Sequence, residues 1–227
     1  LVCHSTLAPG RAQDSSCSPG RGAGLGVGGL AEAVSAPDGA GGWRSFWAIT
    51  VPGESELRQL LGVGPEIRIL PFHFVLEGSF ELTPRRSPRE TVSAHEVVIC
   101  TGGDEHLMSS GHVRKPTSFA AVYAGERPGA GSLATGAAPT RLLCGVFLLN
   151  SAPLNPLLGS LPPVLKIMTA GVPESPLLMR AADMLALEVG GGNRNGSTAA
   201  RLIEVFCAEA IASYRRGEGA ERTGWFK

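Results

Sequence analysis

Thr101-Gly102-Gly103-Asp104-Glu105-His106 decides how this chain is read, because of the segments on either side of it. Upstream stands Pro71-Phe72-His73-Phe74-Val75-Leu76-Glu77-Gly78, a short apolar strand that ends in an acidic residue and a glycine. Downstream stands Leu142-Leu143-Cys144-Gly145-Val146-Phe147, and then Asn155-Pro156-Leu157-Leu158-Gly159-Ser160-Leu161-Pro162-Pro163. Together they predict a small β-barrel with its polar groups turned inward, followed by helices. The fold class expected is mainly β with C-terminal helices, α+β overall.

Working outward, Trp43 to Val51 mixes large apolar with small or polar residues, as a half-buried strand does. Glu54 to Leu61 predicts a short helical turn, and Ile67 to Leu82 two or three strands. Arg85 to Glu90 is a polar connection broken by Pro88. Thr91-Val92 and Glu96 to Cys100 are short strands joined by a turn at Ala94-His95-Glu96. Residues 111–139, rich in Gly, Pro and Ala, read as a long excursion, and Arg141 to Leu149 returns to strand character. Thereafter the apolar period lengthens from two to about 3.6. Asn155-Pro156 and Ser175-Pro176 are helix starts, with Pro162-Pro163 and Gly190-Gly191-Gly192-Asn193 as the stops. Leu178, Ala181, Leu185 and Val189 line one face of the second helix. A last helix, Thr198 to Arg215, carries Leu202, Val205, Phe206, Ala210 and Tyr214 on or near one face.

Residues 1–42 are rich in Gly, Ala, Ser and Pro and predict a flexible segment unable to offset its own ordering entropy. The run Gly22 to Gly29 has no strand before it, which a dinucleotide fingerprint requires. Cys3, His4 and Cys17 match no zinc spacing. The expected organisation is therefore a flexible segment over 1–42, a barrel over 43–150 and a helical region over 151–227.

Twenty basic residues balance twenty acidic ones, so the chain carries no global field to hold nucleic acid or an anionic membrane. No apolar run reaches the roughly 18 residues that span a bilayer. Five cysteines without paired spacing argue against a disulfide framework and fit a reducing cytoplasm. With Leu1 in place of Met, the chain is expected to be a fragment or a processed product.

The row from His95 to His106 resembles the second cupin motif, G-x5-P-x-G-x2-H. Gly103 and His106 match, while His95 stands at the turn glycine and Thr101 at the proline. Only the end of the first cupin motif has a counterpart, Phe74 to Gly78; the H-x-H pair and ligand glutamate before it do not. The same segments are more similar to the cupin-type sensor domain of AraC-type bacterial transcription regulators. That family carries a strand ending H-x-V-x-E-G, a G-D-x-H turn, an L-x-C-G strand and an N-P-L-L-x-x-L-P helix. Here these are His73 to Gly78, Gly103 to His106, Leu142 to Gly145 and Asn155 to Pro162. Ala200 to Phe206 and Thr223 to Phe226 resemble the last helix and its exit.

The resemblance implies a cupin-like barrel followed by a helical dimerisation or linker region. It implies no catalysis of the chain's own. A small-molecule effector would be sensed, a homodimer formed, and DNA bound only through a C-terminal helix-turn-helix domain outside this chain. A stand-alone cupin metalloenzyme is the alternative. Ligand-lining candidates are Trp47, Phe72, His73, Val75, His106 and Met108. Imidazole with thiolate suits zinc or another divalent metal, and the candidate ligands are His73, His106 and Cys144, with Asp104 as a fourth. The other reading of the same residues is a pair of hydrogen-bonded histidines lining an apolar pocket beside a small core cysteine. His95 and His112 fall in turns, and Cys100 and Cys207 read as packing residues.

Overall fold

The computed structural model describes residues 27–34, 46–111, 115–124, 140–150, 161–168, 176–191 and 197–216, with positions 113, 126 and 128 between them. Among the described residues ten strands and four helices follow in order: β1 (Val27–Val34), β2 (Trp47–Val51), α1 (Glu54–Leu61), β3 (Ile67–Glu77), β4 (Ser79–Pro84), β5 (Glu90–Ser93), β6 (Glu96–Cys100), β7 (His106–Ser110), β8 (Thr117–Ser118), α2 (Phe119–Tyr123), β9 (Arg141–Asn150), β10 (Val164–Met168), α3 (Pro176–Gly190) and α4 (Ser197–Arg216).

Two five-stranded sheets form, ordered β1-β9-β3-β6-β10 and β5-β4-β7-β2-β8. Neighbouring strands run antiparallel except β2 and β8, which pair in parallel. The expected barrel thus takes the form of two facing sheets, with no ladder closing them among the described residues. Mainly β architecture with C-terminal helices is what the sequence predicts.

The centre of the molecule is β3, buried from Ile69 to Val75. Alternation along the strand sends successive side chains to opposite faces. Ile69 and Val75 join the core between the sheets, with Trp47, Ile49, Phe80, Leu82, Val98 and Met108. Leu70, Phe72 and Phe74 join a second core, between the first sheet and the helices. There Phe72 stacks on Phe147 at 4.5 Å and tilts against Phe206 of α4 at 5.2 Å. A strand buried on both faces reads as a continuous apolar run, which is why Ile-Leu-Pro-Phe-His-Phe-Val carries no polar interruption except His73.

Helices α3 and α4 cover the outer face of the first sheet. Leu178, Ala181, Leu185 and Val189 are all buried, as their spacing predicts, and Ala182 with them. On α4 the buried stripe is Ala199, Ile203, Phe206, Cys207, Ala210 and Tyr214. Phe206, Ala210 and Tyr214 lie on it as predicted, whereas Val205 is 42% exposed and Leu202 only partly buried. Alanines at 181, 182, 199 and 210 keep the two helices and the sheet close together.

Three further corrections concern the strands. Residues 27–34, expected within a flexible segment, form β1 and pair with β9 along their full length, Val27 with Leu149 through Val34 with Leu142. Backbone hydrogen bonds to a neighbour order a Gly-rich strand that side-chain composition alone leaves undecided. Val164–Met168, beyond the Pro162-Pro163 stop, is the edge strand β10 against β6. His106–Ser110, read only as the end of a turn, continues as β7. The predicted helix at Asn155 to Pro162 falls largely outside the described residues, as do Cys3, His4, Cys17, His112 and Thr223 to Phe226.

Candidate metal and ligand site

The decisive stretch, residues 101–105, carries the chain from β6 in one sheet to β7 in the other. Its shape is fixed from several sides. Gly103 takes φ +71°, the left-handed region open to glycine, and a side chain there would run into Glu54. The Gly103 carbonyl accepts from the Glu54 amide at 2.9 Å, at the start of α1. The amides of Thr101 and Gly102 both donate to the Pro163 carbonyl, and the Thr101 hydroxyl donates to the Pro162 carbonyl.

Glu54 is the hub of this corner. Its carboxylate accepts from Arg68 at 2.5 Å, from Arg58 at 3.0 Å and from the Ile69 amide at 3.0 Å. Arg68 also donates to the Thr101 carbonyl at 2.8 Å. One acidic side chain therefore links α1, β3 and the corner. The turn at His95 is similarly demanding: φ is +66°, the only non-glycine residue with positive φ among those described, and its amide donates to the Val75 carbonyl. The position equated with the motif's glycine is one whose backbone favours glycine.

This framework brings His106, at the start of β7, against His73 of β3. Their Nε2 atoms stand 2.9 Å apart, and the Cys100 sulfur is 3.8 Å from His106 Nε2. The three ligand-capable atoms lie within 4.8 Å of one another, a group able to hold a metal ion. His73, Cys100 and His106 are respectively 3, 5 and 2% exposed. Phe80, from the opposite sheet, presents its ring edgewise to His73. Burial pushes the His73 imidazole well below its usual range, with the neighbouring His106 adding to the effect. Burial likewise pushes His106 down to about 4, with the backbone of Asp104 opposing. Both rings are accordingly neutral at neutral pH, with lone pairs available. Burial, and secondarily Glu90, pushes the Cys100 thiol up to about 12.

One hydrogen bond between two neutral imidazoles employs only two of their four nitrogens, one as donor and one as acceptor. His73 Nδ1 is buried without a hydrogen-bond partner. A purely structural pair would be expected to be better satisfied. Cys100 and His106 form part of a crevice with Pro84, Arg86, Ser87, Gly102, Asp104, Pro163 and Val164. It offers about 10 Å³ of room, space for about one water molecule. At its rim Asp104 faces Arg86 across 3.5 Å.

Of the predicted residues, His73 and His106 meet, and Trp47, Val75 and Met108 lie in the core between the sheets. Phe72 does not line that interior; it lies on the opposite face of β3, in the aromatic cluster beneath α4. Cys144 is buried between the sheets directly across the ladder from His73, but the sulfur that joins the two histidines belongs to Cys100. Asp104 stands apart from the three, paired with Arg86. The missed signal was Cys-x5-His spanning the corner: Cys100 ends one strand and His106 begins the next. No helix among the described residues is long and apolar enough to cross a membrane.

A protein-family model described as Cupin (Cupin_6) matches residues 39–214. A search of curated protein sequences finds no match. Among solved structures, YhaK from Escherichia coli is similar with a TM-score of 0.28 at 10% identity, over 64% of this chain and 42% of that one. ToxT from Vibrio cholerae O395 is similar with a TM-score of 0.37 at 8% identity, over 89% of this chain and 57% of that one. The unsaturated-fatty-acid-bound ToxT of Vibrio cholerae strain SCE256 gives 0.28 at 11% identity, over 92% of this chain and 85% of that one. The chain spans about half the length of the first two. Likeness this distant carries no argument about activity.

Proposed function

The chain belongs to the Cupin_6 family of cupins, and from that premise we propose that it is the ligand-sensing domain of an AraC-type transcription regulator. The observation that carries the reading is a polar cluster, His73, Cys100 and His106, buried in an otherwise apolar interior beside a crevice. Apolar walls with a few convergent polar groups mark small-molecule sites, and because the crevice holds only about one water an effector would have to widen it. In this reading the chain catalyses nothing itself. It works in the cytoplasm, binds a small-molecule effector, pairs with a second copy, and leaves DNA to a helix-turn-helix domain encoded beyond Lys227.

The fold supplies a route for the signal. Strand β3 faces the site with one set of side chains and α3 and α4 with the other. An effector acts only if it binds one arrangement of sheet and helices more tightly than another. Reading the coding DNA past Lys227 tests the proposal. Two helix-turn-helix units are expected, and a stop codon at that point overturns it. The same cluster favours one second reading, a cupin metalloenzyme. Substrate turnover by the metal-loaded protein would select that reading.

A further inference from the structure

We propose that His73 Nε2, Cys100 Sγ and His106 Nε2 bind a single divalent metal ion of the zinc class, with its fourth position open to the crevice between Arg86 and Asp104. The proposal rests on the geometry of these three residues and holds whether or not a DNA-binding domain follows.

The distances fit. With Zn–N of about 2.0–2.1 Å and Zn–S of about 2.3 Å, tetrahedral geometry places two nitrogens about 3.4 Å apart and a nitrogen about 3.6 Å from a sulfur. The observed separations are 2.9 Å between the nitrogens and 3.8 Å from Cys100 to His106. Side-chain shifts of a few tenths of an ångström bring both to those values. The donor set fits as well. Two imidazoles and a thiolate suit zinc or a neighbouring borderline metal rather than magnesium or calcium, which take oxygen ligands.

Chemistry at the site points the same way. A thiol buried in apolar surroundings holds its proton until a cation compensates the thiolate charge. Binding therefore releases one proton from Cys100. Three protein ligands leave a position for an exchangeable group, and the crevice beside Cys100 and His106 has room for one water. The carboxylate beside that crevice is Asp104, held by Arg86 rather than by the cluster. His73 and Cys100 come from β3 and β6, neighbours in one sheet, and His106 from the other, so the ion would fasten the two sheets together at the corner.

The experiment uses the full chain stripped of metal with a chelator, then titrated with cobalt(II) as a spectroscopic stand-in for zinc. Wild type is expected to take up about one equivalent and to develop a thiolate-to-cobalt charge-transfer band. Cys100→Ser should lose the band and bind cobalt at least about tenfold more weakly, and His73→Gln should weaken binding by a similar factor. Cys144→Ser should keep both band and affinity. A wild-type protein shown to be folded by circular dichroism that gives no band at saturating cobalt overturns the proposal. So does a band that survives Cys100→Ser and vanishes in Cys144→Ser.

Discussion

Phe72 faces the helices rather than the interior, and replacing it with alanine puts that placement to a quantitative test. Its ring is fully buried, stacked on Phe147 and leaning on Phe206. A buried phenylalanine removes about 150–250 Å² from water, worth roughly 4 kcal/mol at the lower area and about 25 cal/mol per Å². Partial burial in the unfolded chain trims this figure, and the cavity left between sheet and helix adds to it. The expected loss for Phe72→Ala is therefore about 3–4 kcal/mol, a large share of the 5–15 kcal/mol typical of a domain. With a urea m-value of roughly 2–3 kcal/mol/M, the unfolding midpoint should fall by about 1.5 M, read by circular dichroism. Because the mutated face is not the His73 face, cobalt affinity at 10 °C in the absence of urea should stay within about twofold of wild type. A stability loss under about 1 kcal/mol, accompanied by loss of ligand or metal binding, would refute the placement and restore Phe72 to the interior.

Glu54→Gln removes the charge that serves Arg58, Arg68 and the Ile69 amide, and should cost about 2 kcal/mol while speeding amide exchange at Ile69; unchanged exchange would deny Glu54 its role as hub. His95→Gly relieves a side chain held at φ +66° and should raise stability by up to about 1 kcal/mol in urea melts. In chelator, the folded-state lowering of the His106 imidazole to about 4 means that the unfolded chain binds its proton more readily. The stabilisation is thus complete above about pH 6.5 and lost as pH falls toward 4, by about 3 kcal/mol. The wild-type minus His106→Gln difference in unfolding free energy should slope across that window, and a flat difference would contradict the burial. Leu187, 78% exposed on α3, is an apolar side chain available for the contact with a second copy that the proposed function requires. If so, Leu187→Glu should shift light scattering from dimer toward monomer, and a wild type already monomeric at high micromolar concentration would remove the dimer from the reading.

How much of this was legible depended on the range of the interaction. Helix α1 was readable to the residue because its determinants are local: acidic Glu54 and Glu56 in the first turn, Leu57 and Leu61 one turn apart, and Gly62 at φ +64° as the C-terminal stop. The buried stripe of α3 followed from spacing alone. On α4 Phe206, Ala210 and Tyr214 were placed on the buried face correctly, while Val205 was not, because it is as apolar as Phe206 and only the aromatic cluster around Phe72 selects between them. The same limit applied to the site. His73 announced itself as the polar residue of an apolar strand and His106 as the histidine of the cupin and G-D-x-H patterns, whereas the choice between Cys100 and Cys144 depended on which strands the corner joins. Phe72 was misplaced for a related reason: in a strand buried on both sides, composition does not say which face is which. Strand β10 was hidden behind Pro162-Pro163, a stop signal for a helix that serves equally well as the approach to an edge strand.

Strand β3 also sets how this sequence can change over evolutionary time. Because its two faces serve different neighbours, a single inserted or deleted residue between Ile69 and Val75 would exchange the faces of everything beyond it. A histidine would then enter the aromatic stack under α4 while a phenylalanine took its place among the polar groups of the interior. The structure accommodates its own irregularity only past that region, where the pairing with β9 shifts register between Val75 and Glu77. Length variation among sequences that keep this site should therefore collect in the connections, such as that between β4 and β5, and leave the spacing from Ile69 to Val75 unchanged.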